Sequence, residues 1–233
     1  MSFKKKKIIC IVTARKGSKG IKNKNISKIN GKPLLFYPIS NAIKSKYIDK
    51  VILSTDSHSY SKIGKKYGAV FNSLRPKRYS RDNSDSISTV LYEIQNNFKL
   101  EKIRYDYVVL LEPTSPLTSY KIIDRCIKKL INHDFAKSLI GVGLVKSQHP
   151  LFLATKKNDM LNYLPFNRSK KFYRRQNTEN LYFFDGSIYI SDINNLKKSN
   201  SFIHSRTLLE NMKKINNIEI DDKEDLELVR KII

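Results

Sequence analysis

Residues Ile8 to Val12 form an uninterrupted apolar run that ends abruptly in the loop Thr13-Ala14-Arg15-Lys16-Gly17-Ser18-Lys19-Gly20-Ile21-Lys22-Asn23-Lys24-Asn25. A continuous run of this kind suits a strand buried on both faces, which places it in a sheet covered by helices on both sides. The two glycines let the loop backbone curl so that successive N–H groups point inward at an anion. Arg15 and Lys24 lie nine positions apart, so a folded-back loop brings both to one phosphate chain. Such a loop after a first strand is where open α/β folds bind nucleotides. A solvated basic loop accounts for the same residues, and composition alone does not choose between the two. The order G-x-x-x-x-G-K-[ST] of a P-loop is absent.

The chain then alternates strand and helix patterns. Leu34 to Ser45 repeats apolar residues at helical spacing, with Pro33 suited to the first turn. Val51 to Ser54 reads as a strand, Ser57 to Tyr67 as a helix ended by Gly68, and Val70 to Phe71 as a short strand. Ser86 to Phe98 places Ile87, Val90, Leu91 and Ile94 on one helical face. Tyr107 to Leu111 is a buried strand, Tyr120 to Ile131 a helix and Ser138 to Val145 a strand. This order predicts a mostly parallel sheet covered on both sides by helices. From Lys146 to about Ser191 the pattern becomes β-rich and aromatic. Regular pattern returns with Ile215 to Ile220 as a strand and Asp222 to Ile233 as a closing helix, with Asp222 as its cap and Asp225 in its first turn. The expected division is an α/β core of residues 1–145 and 205–233 and a β-rich segment of residues 146–204.

At 233 residues the chain is long enough for one α/β domain with a good core. No apolar run approaches the ~20 residues that cross a bilayer. Met1-Ser2-Phe3-Lys4-Lys5-Lys6-Lys7 reads as a strand flank rather than a signal peptide. Cys10 and Cys126 fall in predicted strand and helix and read as buried thiols in a reducing cytoplasm. The histidines have no metal-ligand spacing. The net charge of +24 invites a nucleic-acid reading, but the cations are spread along the whole chain, which fits a generally basic surface better.

The loop from Arg15 to Asn25 resembles the first motif of the sugar-activating cytidylyltransferases, the N-acylneuraminate cytidylyltransferase family with its legionaminate and pseudaminate relatives. Further blocks follow in the family's order: Leu74-Arg75-Pro76, Glu112-Pro113-Thr114-Ser115-Pro116-Leu117, Arg174-Arg175-Gln176 with Asp185-Gly186-Ser187, and Ile218-Glu219-Ile220-Asp221-Asp222. The resemblance implies a Rossmann-like sheet with a small dimerisation insertion, and a Mg²⁺-dependent transfer joining CTP to a nonulosonic acid with release of pyrophosphate. Arg15, Lys24 and Asp221 are the implied catalytic residues, with Ser18 and Lys19 assisting. Ala14, Asn25, Arg75 and Ser86 join the nucleotide site, and Ser86 reads equally as a helix cap. Glu112, Thr114, Ser115, Arg175, Gln176 and Asp185 fall at the sugar site, Arg175 from a homodimer partner. The eight-carbon keto-sugar acids are disfavoured, since their activating family has a different first motif.

The chain departs from the family at several positions. Glu112 stands for the usual glutamine, Thr118 for arginine, Asp185 for asparagine and Glu219 for aspartate. A carboxylate at position 112 accepts hydrogen bonds but does not donate them, which bears on the sugar more than on the reaction. Glu219 and Asp221 alternate along the expected strand and so face one way, beside a basic loop. That arrangement suits Mg²⁺, which one or two carboxylates hold together with substrate phosphates. The departures also leave room for a non-catalytic nucleotide-sugar or polyanion-binding protein on a decayed fold.

Overall fold

The computed structural model describes residues 6–17, 20–81, 85–145, 149–150, 153–163 and 179–233. Strand β1 (Ile8–Thr13) is the expected apolar run, and all but Thr13 of it is buried. It is paired in parallel with β4 (Lys50–Ser54) on one side and β5 (Tyr107–Leu111) on the other. Ile8, Cys10 and Val12 pack into one hydrophobic layer with helices α1 (Phe36–Lys44) and α4 (Tyr120–Ile131). Ile9 and Ile11 pack into the opposite layer with α3 (Ser86–Glu101) and α5 (Ile193–Ser199). The period-2 alternation of the strand thus feeds two cores from one segment. Burying each such side chain contributes about 1.5–3 kcal/mol.

Among the described residues the main sheet has six strands in the order β4-β1-β5-β9-β6-β10, with β6 spanning Ser138–Leu144, β9 Tyr182–Asp192 and β10 Thr207–Asn211. All run parallel except β9, which pairs antiparallel with both β5 and β6. The chain leaves β1 toward β4 and leaves β5 toward β6. The crevice between the carboxyl ends of β1 and β5 is therefore the switch point where open α/β sheets bind ligands.

The structure corrects the expected elements in four places. Pro33 does not open α1. It lies in a two-residue strand β3 (Lys32–Pro33) paired with β2 (Lys28–Ile29) across the turn Asn30-Gly31. Both turn residues have positive φ, 45° and 73°, which Asn-Gly supplies at little steric cost. No strand forms over 215–220: Lys214–Asn217 is a 3-10 turn and the chain to Ile220 is irregular. The second edge strand is instead β10, whose half-exposed sequence carries no clean alternation. Finally, β9 lies inside the main sheet and α5 packs on it, so much of residues 182–199 belongs to the core and not to a separate segment. The hairpin of β7 (Ala154–Lys157) and β8 (Met160–Tyr163) is β structure outside that sheet.

A small satellite core joins Ile21, Ile29 and Leu34 to Ile220, Leu226 and Val229. It ties the loop after β1 to the C-terminal helix α6 (Lys223–Ile232). That helix begins with a reciprocal capping box between Asp222 and Asp225, and Asp225 also accepts the backbone N–H of Asp221 at 2.9 Å. The expected cap is therefore the observed one. Asp222→Ala should lower stability by about 1 kcal/mol, read as a shift in urea midpoint at unchanged slope. An unchanged midpoint would show that Asp225 alone fixes this turn.

Candidate active site

The carboxyl ends of β1 and β5 open into a cleft of about 380 Å³. Thr13, Arg15, Gly20, Lys24 and Asn25 line it from the first loop, and Arg75, Tyr79 and Arg81 from the segment after β4. Ser86 and Thr89 at the start of α3, Glu112, Pro113 and Thr114 after β5, and Asp221 before α6 complete the wall. Cationic groups and two carboxylates thus face one polar space, a lining that attracts a polyphosphate.

The first loop is held in shape by its own side chains. The Asn25 amide, buried, donates to the Arg15 carbonyl at 2.9 Å, and the Asn25 carbonyl accepts the Leu35 N–H. Asn25 therefore folds the loop back so that Arg15 and Lys24 line the same cleft. Lys24 Nζ donates to the Ile220 carbonyl at 2.7 Å and to Asp221 Oδ1 at 3.2 Å. Its side chain is 13% exposed against 75% for Asp221, so the pair presents its carboxylate to solvent. Gly20 is required here: a Cβ on it would lie 2.4 Å from the Asp221 carbonyl oxygen. Asp56 accepts the backbone N–H of Lys16 at 2.8 Å and fixes the other limb of the loop. Ala14 is buried and continues the β1–β4 pairing through Ser54, so it supports the cleft without lining it.

Glu112 sits between this cleft and a second, more apolar cavity of about 200 Å³. Ser86, Ile87, Leu110, Glu112, Tyr189, Ser201, Phe202 and Ile203 line it. Ser86 and Glu112 are common to both cavities, and the Ser86 hydroxyl donates to Glu112 Oε1 at 3.5 Å. Burial, followed by the negative charge of Glu219, pushes the Glu112 carboxyl up to about 7. Burial and the charges of Glu112, Glu219 and Asp185 push the Tyr189 hydroxyl up to about 12.

The expected carboxylate pair is divided differently from a strand's alternation. Asp221 faces the cleft, whereas Glu219 accepts the Thr114 hydroxyl at 3.2 Å and packs against Gly186. Burial and the charge of Asp221 hold Glu219 above the usual carboxylate range. Among the described residues no group of three or more His, Cys, Asp or Glu side chains is arranged to hold a metal by itself.

Two residues expected at the sugar site have structural partners. The Ser115 hydroxyl is buried and donates to the Gly186 carbonyl at 3.2 Å. Thr118, beside it, donates to the Ser187 carbonyl at 3.2 Å, so this departure locks the loop after β5 onto β9. Asp185 is also buried. Its Oδ1 accepts the Ser187 N–H at 3.0 Å, and burial raises its carboxyl. Ser18, Arg175 and Gln176 lie outside the described residues, as does Lys19. Sequence reasoning missed Tyr79, Arg81 and Thr89. Arg81 lies six residues after Arg75 in the same basic loop, and Thr89 three after Ser86 on one helical face, spacings that could have found both.

A cytidylyltransferase family model matches residues 9–232. The chain is 31% identical over 222 residues to the N-acylneuraminate cytidylyltransferase of Escherichia coli O18:K1:H7, covering 95% of this chain and 51% of that protein. It thus spans about half the length of that relative. It is 28% identical over 230 residues to the CMP-N,N'-diacetyllegionaminic acid synthase of Legionella pneumophila, covering 97% and 96% of the two chains. Its fold is similar to that of a CMP:2-keto-3-deoxy-manno-octonic acid synthetase complexed with CTP, with a TM-score of 0.70, 13% identity, and coverage of 97% and 98%. With a family model matched across nearly its whole length, the chain belongs to the cytidylyltransferase family.

Proposed function

We propose that this protein joins CTP to a nonulosonic acid, releasing pyrophosphate and forming the CMP-sugar. The observation that carries the reading is the meeting of a cation-lined cleft and a smaller apolar cavity at Ser86 and Glu112. A nucleoside triphosphate suits the first space and an acyl-bearing sugar the second. The relatives named above act on sugars of this kind by their names. The sugar hydroxyl attacks the α-phosphorus and pyrophosphate leaves, so catalysis rests on alignment and charge stabilisation. Arg15, whose planar guanidinium can grip two phosphate oxygens, and Lys24 serve as the clamp. Ser18 joins them, while Ala14 and Asn25 shape the loop, Arg75 and Ser86 hold the nucleotide, Glu112 faces the sugar, and Thr114, on the cleft wall, is assigned to the sugar by resemblance. Arg175 and Gln176 are assigned to the sugar by resemblance, and Ser115 and Asp185 support that site from behind.

Mg²⁺ fits this donor set. Asp221 is an exposed carboxylate on the cleft wall, and burial followed by neighbouring carboxylates raises both Glu112 and Glu219. Asp221 would hold the ion with the substrate phosphates, and Glu219 would support it from the side. When bound, the ion supplies charge neutralisation to the triphosphate. Asp221, ion-paired with Lys24, is also assigned to accept the hydroxyl proton.

The reading places the protein in the cytoplasm as a homodimer. Among the described residues no helix is long and apolar enough to cross a membrane. Tyr182, Phe183 and Phe184 of β9 are exposed, as are Leu153 and Met160 near and on the β7–β8 hairpin. Exposed aromatics and methionine of this kind favour a subunit contact. The rival reading, a polyanion-binding protein on a decayed fold, requires no pyrophosphate release.

Pyrophosphate release should be detected with CTP and a sialic, legionaminic or pseudaminic acid, and should be far slower with GTP, since a pocket built for a pyrimidine leaves its polar groups unpaired with a purine. Arg15→Ala should reduce it by at least ~100-fold in a folded protein. Equal rates with both nucleotides, or a fully active Arg15→Ala protein, would remove the assignment. Asp221→Asn should abolish turnover across a Mg²⁺ titration. Retained turnover with an unchanged Mg²⁺ response would place the ion elsewhere.

Glu112 gives a pH prediction. Between its ordinary value near 4.5 and about 7 the folded state keeps a proton that the unfolded chain has lost. Stability therefore falls as pH rises through that window. Glu112→Gln removes the effect, so the variant should melt above the wild type at pH 8 and alongside it at pH 4.5. A difference independent of pH would show that Glu112 is already ionised in the folded protein.

A further inference from the structure

A buried polar cluster that the proposed reaction does not use runs along α3 from the cleft wall at Thr89. On α3, Thr89, Glu93 and Asn97 recur every four residues, and none is more than 2% exposed. The inward face of such a helix is ordinarily apolar. Ser54 at the end of β4 lies toward Glu93 but outside hydrogen-bond geometry. Arg75, 7% exposed, lines the cleft. Its backbone N–H is fixed to the Thr55 carbonyl at 2.9 Å, but its Nε and Nη2 are buried without a hydrogen-bond partner. Glu93 Oε1 and both polar atoms of the Asn97 amide are in the same condition.

A guanidinium stays charged at any working pH, so burying it requires a compensating charge close by. Three charged groups act on Arg75: Asp56 and Glu93 favour its charge, and Arg15 opposes it. Asp56 is committed to the first loop through the Lys16 N–H. Glu93 has no such commitment. Burial pushes its carboxyl up to about 7, against the pull of Arg75. Arg75 thus feels the charge of Glu93 without being clamped to it by an ion pair, and each leaves a buried polar atom without a hydrogen-bond partner.

We propose that Glu93 is a positioning residue for Arg75, offsetting the guanidinium charge and holding it at the cleft wall for the nucleotide. The inference rests on the cytidylyltransferase reading. It has a sign that plain electrostatics does not share. Removing a negative charge near an anion site should, by long-range attraction alone, tighten CTP binding. Loss of a positioning group should weaken it.

The test is a double-mutant cycle on the full chain with Glu93→Gln and Arg75→Lys. It reads the dissociation constant for CTP by calorimetry, and KM and kcat by pyrophosphate release. Glu93→Gln should raise the dissociation constant and KM for CTP about 5- to 10-fold, with kcat changed less than about twofold. In the Arg75→Lys background it should have no further effect. Glu93→Asp, which keeps the charge, should fall between wild type and Glu93→Gln and covers the case in which the glutamine variant does not fold. A change confined to the dissociation constant and KM for CTP, with partial rescue by Glu93→Asp, separates positioning from general support of the fold. Tighter CTP binding, an unchanged constant, or effects that multiply in the double variant would overturn the proposal. Wild-type protein that binds no CTP would overturn the functional reading beneath it, whereas CTP binding with a multiplicative cycle would overturn the positioning role alone.

Discussion

Burial of β1 on both faces is the constraint on which the rest of the structure depends. Its residues enter two separate hydrophobic layers, and its backbone is paired on both edges. A strand in that position can neither slip register nor tilt without exposing apolar side chains on one face or the other. The point where it ends is therefore fixed. Thr13 and Arg15 emerge at the crevice between β1 and β5, where the chain changes winding direction.

The loop that follows gains its rigidity from the far end of the chain. Ile21 shares a satellite core with Ile220 and Val229, Gly20 lies against the Asp221 carbonyl, and Lys24 reaches the Ile220 carbonyl and the Asp221 carboxylate. Residues some two hundred positions apart in sequence thus make one wall. The cap of α6 extends this seam, since Asp225 accepts the backbone N–H groups of both Asp221 and Asp222. Charge placement on that wall is a product of the fold, because Lys24 is sheltered and Asp221 exposed by the same contact.

Around the cleft, departures from the family pattern fall into two kinds. Thr118 and Asp185 are buried and bond to the backbone of β9 or their own turn, so they concern how the loop after β5 is seated. Glu112 lines both cleft and cavity, Glu219 bonds to Thr114 on the cleft wall, and both carboxyls are raised by burial and by charge. A group of acidic side chains raised by burial and by neighbouring carboxylates is a poor stabiliser of the fold. It belongs with a site that expects cations or hydrogen-bond donors.

The sequence by itself determined the alternation of strands and helices, the two-faced burial of β1, the capping of α6 by Asp222, and the gathering of Arg15, Lys24, Asn25, Arg75, Ser86, Glu112, Thr114 and Asp221 around one cleft. Those features are written in local pattern and in motifs whose residues lie close together. It could not place Pro33 in a hairpin, because the Asn30-Gly31 turn competes with a helical start using the same residues. It gave Ile215 to Ile220 the look of a strand, but Ile218 and Ile220 turn to the satellite core, where no ladder partner awaits them. It could not separate Ser115, which is spent on seating a loop, from side chains open to a ligand. Nor could it show that Glu93 on α3 is buried and that its charge acts on Arg75. Those distinctions rest on which side of a backbone is buried against which distant segment, and that is settled only when β4, α3 and the C-terminal turn close around the end of β1.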